Sequence, residues 1–339
     1  MFAAGSGSSE RCGVFPQLRK KTDGLIKKSI FVNEDEGRQR LDLFLAKKVP
    51  FIKRETWKER IEAGFVLLNE KKCRPSHRVS SGQKIDIFHP EKEEPPVLEN
   101  FSIVYSDPEI LLINKPPNLP VHPAGPYREN TLLGLLRKKF GPEFRGYFAH
   151  RLDRETSGLI LMALESRTAA FLQKQFLTNQ VAKEYSVLVR GNFPDFLDAK
   201  GWIGLLEKGS VKKERTFLPE RYAAGLKLAQ ECHTEFYLEK KAKTCCLVRA
   251  KLHTGRMHQI RATLCSLGYP VIGDRIYGPD ENLYLKFIRG EETAEDLQIL
   301  GMDRTALHSC GLGFRHPSGE FMTFKTELPE DMRLFLEKN

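Results

Sequence analysis

Eleven residues about a third of the way along the chain, PEKEEPPVLEN (Pro90–Asn100), constrain its architecture more than any other stretch. Its prolines lack amide donors, and its Glu and Lys residues leave no apolar face to bury. The segment is expected to be an extended, exposed linker. It separates a small N-terminal block from a much larger C-terminal one, a division that suits a chain of 339 residues. Hydrophobic residues at 40% and charged residues at 29% are enough to give each block a core.

The small block is basic. Between Arg38 and Pro90 stand 13 Lys or Arg and six Asp or Glu, so most of the formal net charge of +10 gathers in 53 residues. Such a concentration suits either a polyanion-binding module or an ordinary solvated surface. RQRLDLFLAKKV places Leu41, Phe44, Leu45 and Val49 at helical spacing. KRETWKERIEAG predicts a second helix with Trp57 and Ile61 inward and Gly64 closing it. FVLLN and GQKIDIF read as strands on either side of a turn at NEKK. Two basic helices before a small sheet, with the phrase RIEAGFVLLNEK (Arg60–Lys71), resemble the RNA-binding domain of the ribosomal protein S-four type. Residues 1–37 lack the apolar stretch of a secretory signal and are expected to be a poorly ordered leader.

The large block, residues 101–339, alternates strands with occasional helices. EILLINKP, GLILMAL, KEYSVLVRG and CLVRAKL predict strands. SRTAAFLQKQFLT predicts an amphipathic helix with Ser166 as its N-cap, and HTGRMHQIRATLCSLG turns helical. The acidic stretch Glu281–Asp303 reads as a peripheral helical insertion. Few βαβ crossovers are visible, so the expected class is α+β, with a mixed, largely antiparallel sheet flanked by helices.

Several functional classes are disfavoured. No apolar run approaches the roughly 18 residues that cross a bilayer. The seven cysteines form no CxxC pair, which fits reduced thiols in a cytoplasm better than disulfides or zinc. The nine histidines include no HExxH, so no catalytic metal is expected.

In HRLDRETSG (His150–Gly158), His150, Arg151 and Arg154 crowd around the carboxylate of Asp153, just ahead of the apolar run LILMAL. Alone, the stretch fits a capped turn or surface ion pairs as well as it fits chemistry. Three further stretches, INKPPNLPVHP, KEYSVLVRG and GRMHQIRATLCSLGYPVIGDRIYG, also join strand ends to turns or helices, where folds present site residues. In this order the four segments resemble pseudouridine synthases of the RluA type, over roughly Phe101–Glu337.

The resemblance implies the pseudouridine synthase fold and an isomerase. Such an enzyme breaks the glycosidic bond of a uridine in RNA, rotates the uracil and rejoins it through carbon five. That reaction needs no cofactor and one carboxylate, whereas glycoside hydrolases normally flank the bond with two. By resemblance Asp153 is that carboxylate, acting either on the anomeric carbon or on the neighbouring 2′ proton. Arg261, ending GRMHQIR, is similar to the arginine that pairs with it. Tyr185 matches the tyrosine that stacks on the uracil. Arg151 matches the arginine that fills the place of an extruded base, a step that costs a few kcal/mol of unstacking. Asn114 and Lys115 match a turn near the pocket, where either a structural role or RNA contact is open. Arg256 and His258 would support the site or bind RNA backbone, and His150 would pack behind it. Leu307 would line the pocket, beside Ser309 where the family usually has alanine. The implied partner is RNA, ribosomal ahead of transfer RNA, with no membrane and no protein partner evident. The competing reading is a non-catalytic RNA-binding or ribosome-assembly protein of the same fold.

Overall fold

The computed structural model describes residues 25–49, 52–90, 94–206, 214–219, 226–280 and 282–339. They fall into two compact units that divide between Glu93 and Glu94.

In the first unit a four-stranded antiparallel sheet runs in the order β1 (Leu25–Phe31), β4 (Lys84–Pro90), β2 (Val66–Leu68), β3 (Lys71–Lys72). Helices α1 (Leu41–Lys48) and α2 (Arg54–Glu62) pack against it through Leu41, Phe44, Leu45, Trp57 and Ile61, all buried. Gly64, just past α2, has φ +84, where a residue without Cβ avoids strain. The sheet begins earlier than the sequence predicts. Leu25–Phe31 pairs with β4 over seven residues instead of lying in a leader that ends at residue 37. Lys27 and Lys28 interrupt its apolar pattern, which hides the strand, but β1 is an edge strand and edges accommodate lysine. Lys27 and Ser29 in turn bond the buried Asp86 of β4, at 2.9 and 2.6 Å. The expected leader residues 1–24 lie outside the described residues.

The second unit is built on an 11-stranded sheet. Its strands are β5 (Ser102–Ser106), β6 (Ile110–Lys115), β7 (Tyr147–Phe148), β8 (Ser157–Ala163), β9 (Ala182–Arg190) and β10 (Phe196–Leu205). They continue as β11 (Thr216–Pro219), β12 (Lys227–Lys241), β13 (Cys245–Leu252), β14 (Leu307–Arg315) and β15 (Phe321–Lys325). The order is β11-β10-β12-β13-β9-β14-β8-β6-β5, with β15 on β14 and β7 on β8. Every pairing is antiparallel except β14 with β8, which touch in register only at His308–Ser157 and Ser309–Gly158.

The central strands are buried on both faces, so they read as continuous apolar runs. Period two sends Ile110, Leu112, Leu159 and Leu161 into one core, where α4 (Ser166–Leu177) packs through Ala169 and Leu172. Leu111, Ile113, Ile160 and Met162 enter the other core, with residues of α3 (Leu132–Phe140), α5 (Gln259–Ser266) and α8 (Glu330–Lys338). The N-cap of α4 is Glu165, not the expected Ser166, and its side chain makes no cap bond.

Two other expectations change. Residues 94–100 are not a free linker, because the Glu94 carboxylate accepts from the backbone amides of Arg128, Glu129 and Asn130 at 2.7–3.0 Å. The segment after residue 281 forms α6 (Asn282–Arg289) and α7 (Ala294–Leu300) and is not peripheral. Its Phe287 lies under the guanidinium groups of both Arg154 and Arg275, 5.0 and 4.6 Å from the ring centre. Its Glu292 takes Arg275 in a two-bond pair at 2.6 and 3.0 Å.

Candidate active site

The parallel seam between β14 and β8 spans two residue pairs at the starts of the strands, and the loop 150–156 enters β8 at this point. Gly158 has φ +109, and a Cβ there would lie 2.3 Å from the carbonyl oxygen of Ser309, so only glycine lets the loop turn into the sheet so close to β14. Three polar ties hold the loop. The Glu155 carboxylate accepts from both the amide and hydroxyl of Thr305, at 3.0 and 2.9 Å. Ser157 Oγ stands 2.9 Å from His308 Nδ1. The fully buried Lys115 ammonium donates to the carbonyls of Pro116, Leu119 and Arg154, at 2.9, 2.9 and 3.1 Å. Asp153 stands just ahead of these ties, its carbonyl accepting from the Thr156 amide at 3.2 Å.

From the other side of the seam, Arg261 on α5 reaches Asp153 with Nη1, 2.8 Å from Oδ2. Oδ1 of Asp153 accepts no bond among the described residues. Arg261 is itself clamped by Asp274, Nε to Oδ2 at 2.6 Å and Nη2 to Oδ1 at 2.8 Å. Asp274 is fully buried and also accepts from the amides of Ile276 and Tyr277, both at 3.0 Å. The backbone turns sharply ahead of it at Gly273, φ +76, where a Cβ would sit 1.9 Å from the Arg304 carbonyl oxygen. A planar guanidinium thus bridges two carboxylates, a geometry that lysine could not supply.

Burial works against a charge on Asp153, but Arg261 overrides it and holds the carboxyl below its usual 3.8. His258 Nε2 lies 3.8 Å from the same oxygen, and its Nδ1 is 2.9 Å from the Tyr277 hydroxyl. Burial, then Arg261, push His258 down to about 4, so it is neutral at pH 7 and Arg261 is the counter-ion. Burial lifts the Tyr185 phenol to about 12, so it stays protonated. Asp153, Tyr185, Arg261, Arg151, Arg256, His258, Leu307 and Thr156 all line one small, open-mouthed pocket with a cavity volume of about 80 Å³. Ser309, 1% exposed, pairs across the sheet with both Tyr185 and Gly158 and so belongs to the frame behind this wall.

Not every expected residue comes to the pocket. Lys115 cannot contact RNA, since its ammonium is enclosed and spent on three carbonyls. Asn114 is half-buried on β6 and stands outside the pocket lining. Of the cations crowding Asp153 in sequence, only Arg151 lines the pocket. Arg154 turns away to Glu155 and Tyr127, at 2.8 and 3.2 Å. His150 accepts from the amide of Leu161 and stacks on Phe176, so it packs behind the site as expected.

Residues 109–266 match the family described as RNA pseudouridylate synthase, and residues 39–85 match the S4 domain. An uncharacterised RNA pseudouridine synthase of Aquifex aeolicus is 32% identical over 311 residues, 87% of this chain and 92% of that one. This chain belongs to the RNA pseudouridine synthase family. The ribosomal large subunit pseudouridine synthase D of Haemophilus influenzae is 30% identical over 320 residues, covering 90% and 93% of the two chains. Among solved structures, human RNA pseudouridylate synthase domain containing 1 superposes with a TM-score of 0.55 at 25% identity, over 69% of this chain and 86% of that one. The fold is therefore that of a pseudouridine synthase of the RluA type, carrying an S4 domain, and the enzyme class is isomerase.

Sequence reasoning missed Asp274 as the residue that aims the arginine of this synthase. GDRIYG was visible as a motif, but nothing in it said which side chain the aspartate meets. It also missed a group outside the pocket lining, where His233, Glu235 and His253 bring potential metal-ligating atoms within 4.8 Å. There Lys251 Nζ already takes Glu235 at 3.2 Å, and the two imidazoles stack at 4.1 Å. Face-to-face rings do not aim their in-plane lone pairs at one point. Among the described residues, no helix is long and apolar enough to cross a membrane.

Proposed function

We propose that this synthase isomerises uridines in large-subunit ribosomal RNA, with Asp153 as its catalytic carboxylate. The observation that carries the assignment is the bridge Asp153–Arg261–Asp274 at the pocket floor. It keeps one carboxylate ionised, aimed, and with an oxygen free for the substrate. The sugar's N1–C1′ bond breaks with Asp153 acting at C1′ or on the 2′ proton. The uracil then turns, C5 bonds to C1′, the C5 proton leaves and N1 is protonated, so atoms balance without a co-reactant. The protonated phenol of Tyr185 offers a ring face to the uracil and a hydroxyl in reach of its edge. Arg151, exposed at the mouth, fills the stack that the uridine vacates. Leu307 forms the apolar wall, and Arg256 meets RNA backbone.

The choice of ribosomal over transfer RNA rests on the relatives' names and on the S4 unit, where Arg40, Lys58 and Arg74 line a wide groove suited to structured RNA. Six described cysteines are free thiols, in keeping with work in the cytoplasm. Asp153→Asn keeps the shape and removes both nucleophile and base. It should abolish tritium release from [5-³H]uridine-labelled RNA while leaving RNA binding within a few-fold of wild type. Substantial release by this variant would refute the assignment of Asp153. Pseudouridine mapping with and without the gene should place the lost sites in large-subunit RNA, and loss confined to transfer RNA would overturn that substrate.

A further inference from the structure

Strand β9 carries a charged side chain on the same face as Tyr185. Lys183 precedes Tyr185 by two residues, so the strand's period of two turns both the same way, while Glu184 between them turns away to Arg249. Lys183 is 6% exposed, yet among the described residues no acceptor bonds its ammonium and no carboxylate pairs with it. It lies against the Gly255–Arg256 turn, where a Cβ on Gly255 would stand 3.5 Å from Nζ. Arg256 lines the pocket and is held by one bond, Nε to the Glu231 carbonyl at 3.0 Å. Its two Nη groups have no acceptor among the described residues.

Keeping a charge on a lysine only 6% exposed, beside a second cation and with no anion bonded to either among the described residues, costs more than burying a neutral group. Burial, then Arg256, push Lys183 down to about 8. Such an arrangement makes physical sense where an anion arrives from outside. We propose that Lys183 and Arg256 form a phosphate seat at the pocket rim, holding the backbone phosphate of the uridine whose base enters beside Tyr185. The inference rests on the reading of the pocket given above and deepens it. A compact ammonium and a planar fork side by side suit the several oxygens of a phosphate. The seat lies about 6.6 Å along the strand from Tyr185, two residues at about 3.3 Å each, so phosphate and base of one nucleotide can be held together. It also serves the reaction. Once the glycosidic bond is broken the uracil must rotate while the sugar stays put, and a clamped phosphate fixes the sugar over Asp153.

Uridine and its 5′- and 3′-monophosphates are the probes. Each is titrated as a competitor of tritium release by the full-length chain and by Lys183→Met, with a melting curve confirming that the variant folds. One of the two monophosphates should inhibit wild type about tenfold more strongly than uridine does. In Lys183→Met that ratio should fall to near one, with inhibition by uridine itself unchanged within about twofold. In wild type labelled with ¹⁵N-lysine, the Lys183 signal should shift with that monophosphate and not with uridine. Equal inhibition by all three probes, or a ratio that survives Lys183→Met, overturns the seat. If wild type releases no tritium from any uridine RNA, the reading of the pocket fails instead. The lysine signal then judges the seat alone: a shift with a monophosphate supports it, and no shift refutes it.

Discussion

Replacing Asp274 by Asn separates the aiming of Arg261 from the charge of Asp153. The carboxylate accepts four bonds, three at Oδ1 from Arg261 Nη2, Ile276 and Tyr277, and one at Oδ2 from Arg261 Nε. An asparagine keeps most of them by leaving its oxygen at the Oδ1 position, which puts its NH₂ against the Nε–H donor. The 2.6 Å bond is lost and two donors face each other in a fully buried place. A hydrogen bond to a charged group is worth about 1.5–3 kcal/mol. One-sided removal of a buried pair costs about 3–5 kcal/mol, and since most of the bonds survive, about 3 kcal/mol is expected. At roughly 2–4 °C per kcal/mol for a unit of this size, melting should fall by about 6–12 °C. Turnover should drop on the order of a hundredfold, because Arg261 no longer fixes the Asp153 oxygen.

The pH profile tells the cause. With the negative charge of Asp274 removed, less like-charge repulsion opposes ionisation of Asp153, so the acid limb of kcat should move to lower pH. Arg261→Met should raise it, since the largest influence opposing burial would be gone. The assay is tritium release from [5-³H]uridine RNA from about pH 2.5 to pH 9, with a melting curve at each pH. An Asp274→Asn protein that melts lower yet keeps kcat within twofold would refute the idea that Asp274 aims the arginine.

Two further outcomes follow from the same kind of bonding. Lys115→Met removes three donors from buried carbonyls and should cost roughly 3 kcal/mol of stability with a matching loss of kcat, read by melting and tritium release. RNA affinity should stay within about twofold, and a larger loss would return Lys115 to the RNA interface. A chain that begins at Glu94 should bind RNA more weakly, and its log–log salt slope should flatten by about 0.7 for each single-strand phosphate that the S4 unit neutralises in the full chain. An unchanged slope would mean that the basic unit does not hold backbone.

The elements that periodicity reveals are those whose neighbours are uniform. Strands β6 and β8 are covered on both faces, so EILLINKP and GLILMAL read as apolar runs without knowledge of their partners. Strand β1 is illegible because its two lysines are tolerable only at an edge, and edge position is a property of the assembled sheet. The helices after residue 281 look peripheral in sequence for a similar reason. Their acidic composition is real, but Glu292 answers Arg275, and Phe287 meets two guanidinium groups whose positions only the fold supplies.

The candidate site divides along the same line. The pattern HRLDRETSG suggests that local arginines surround Asp153, yet Arg154 leaves for Glu155 and Tyr127, and the partner comes from Arg261, 108 residues away. That pairing is legible only through resemblance to a family, because no local rule links positions so distant. Lys115 shows the converse error. A lysine in a turn near a nucleic-acid pocket invites a phosphate, but in this turn the carbonyls of Pro116, Leu119 and Arg154 converge on it first. Lys183, one residue ahead of the strand's own Glu184, reads in sequence as ordinary strand polarity. Its distinction is that no acceptor among the described residues bonds it, and that becomes visible only in the fold.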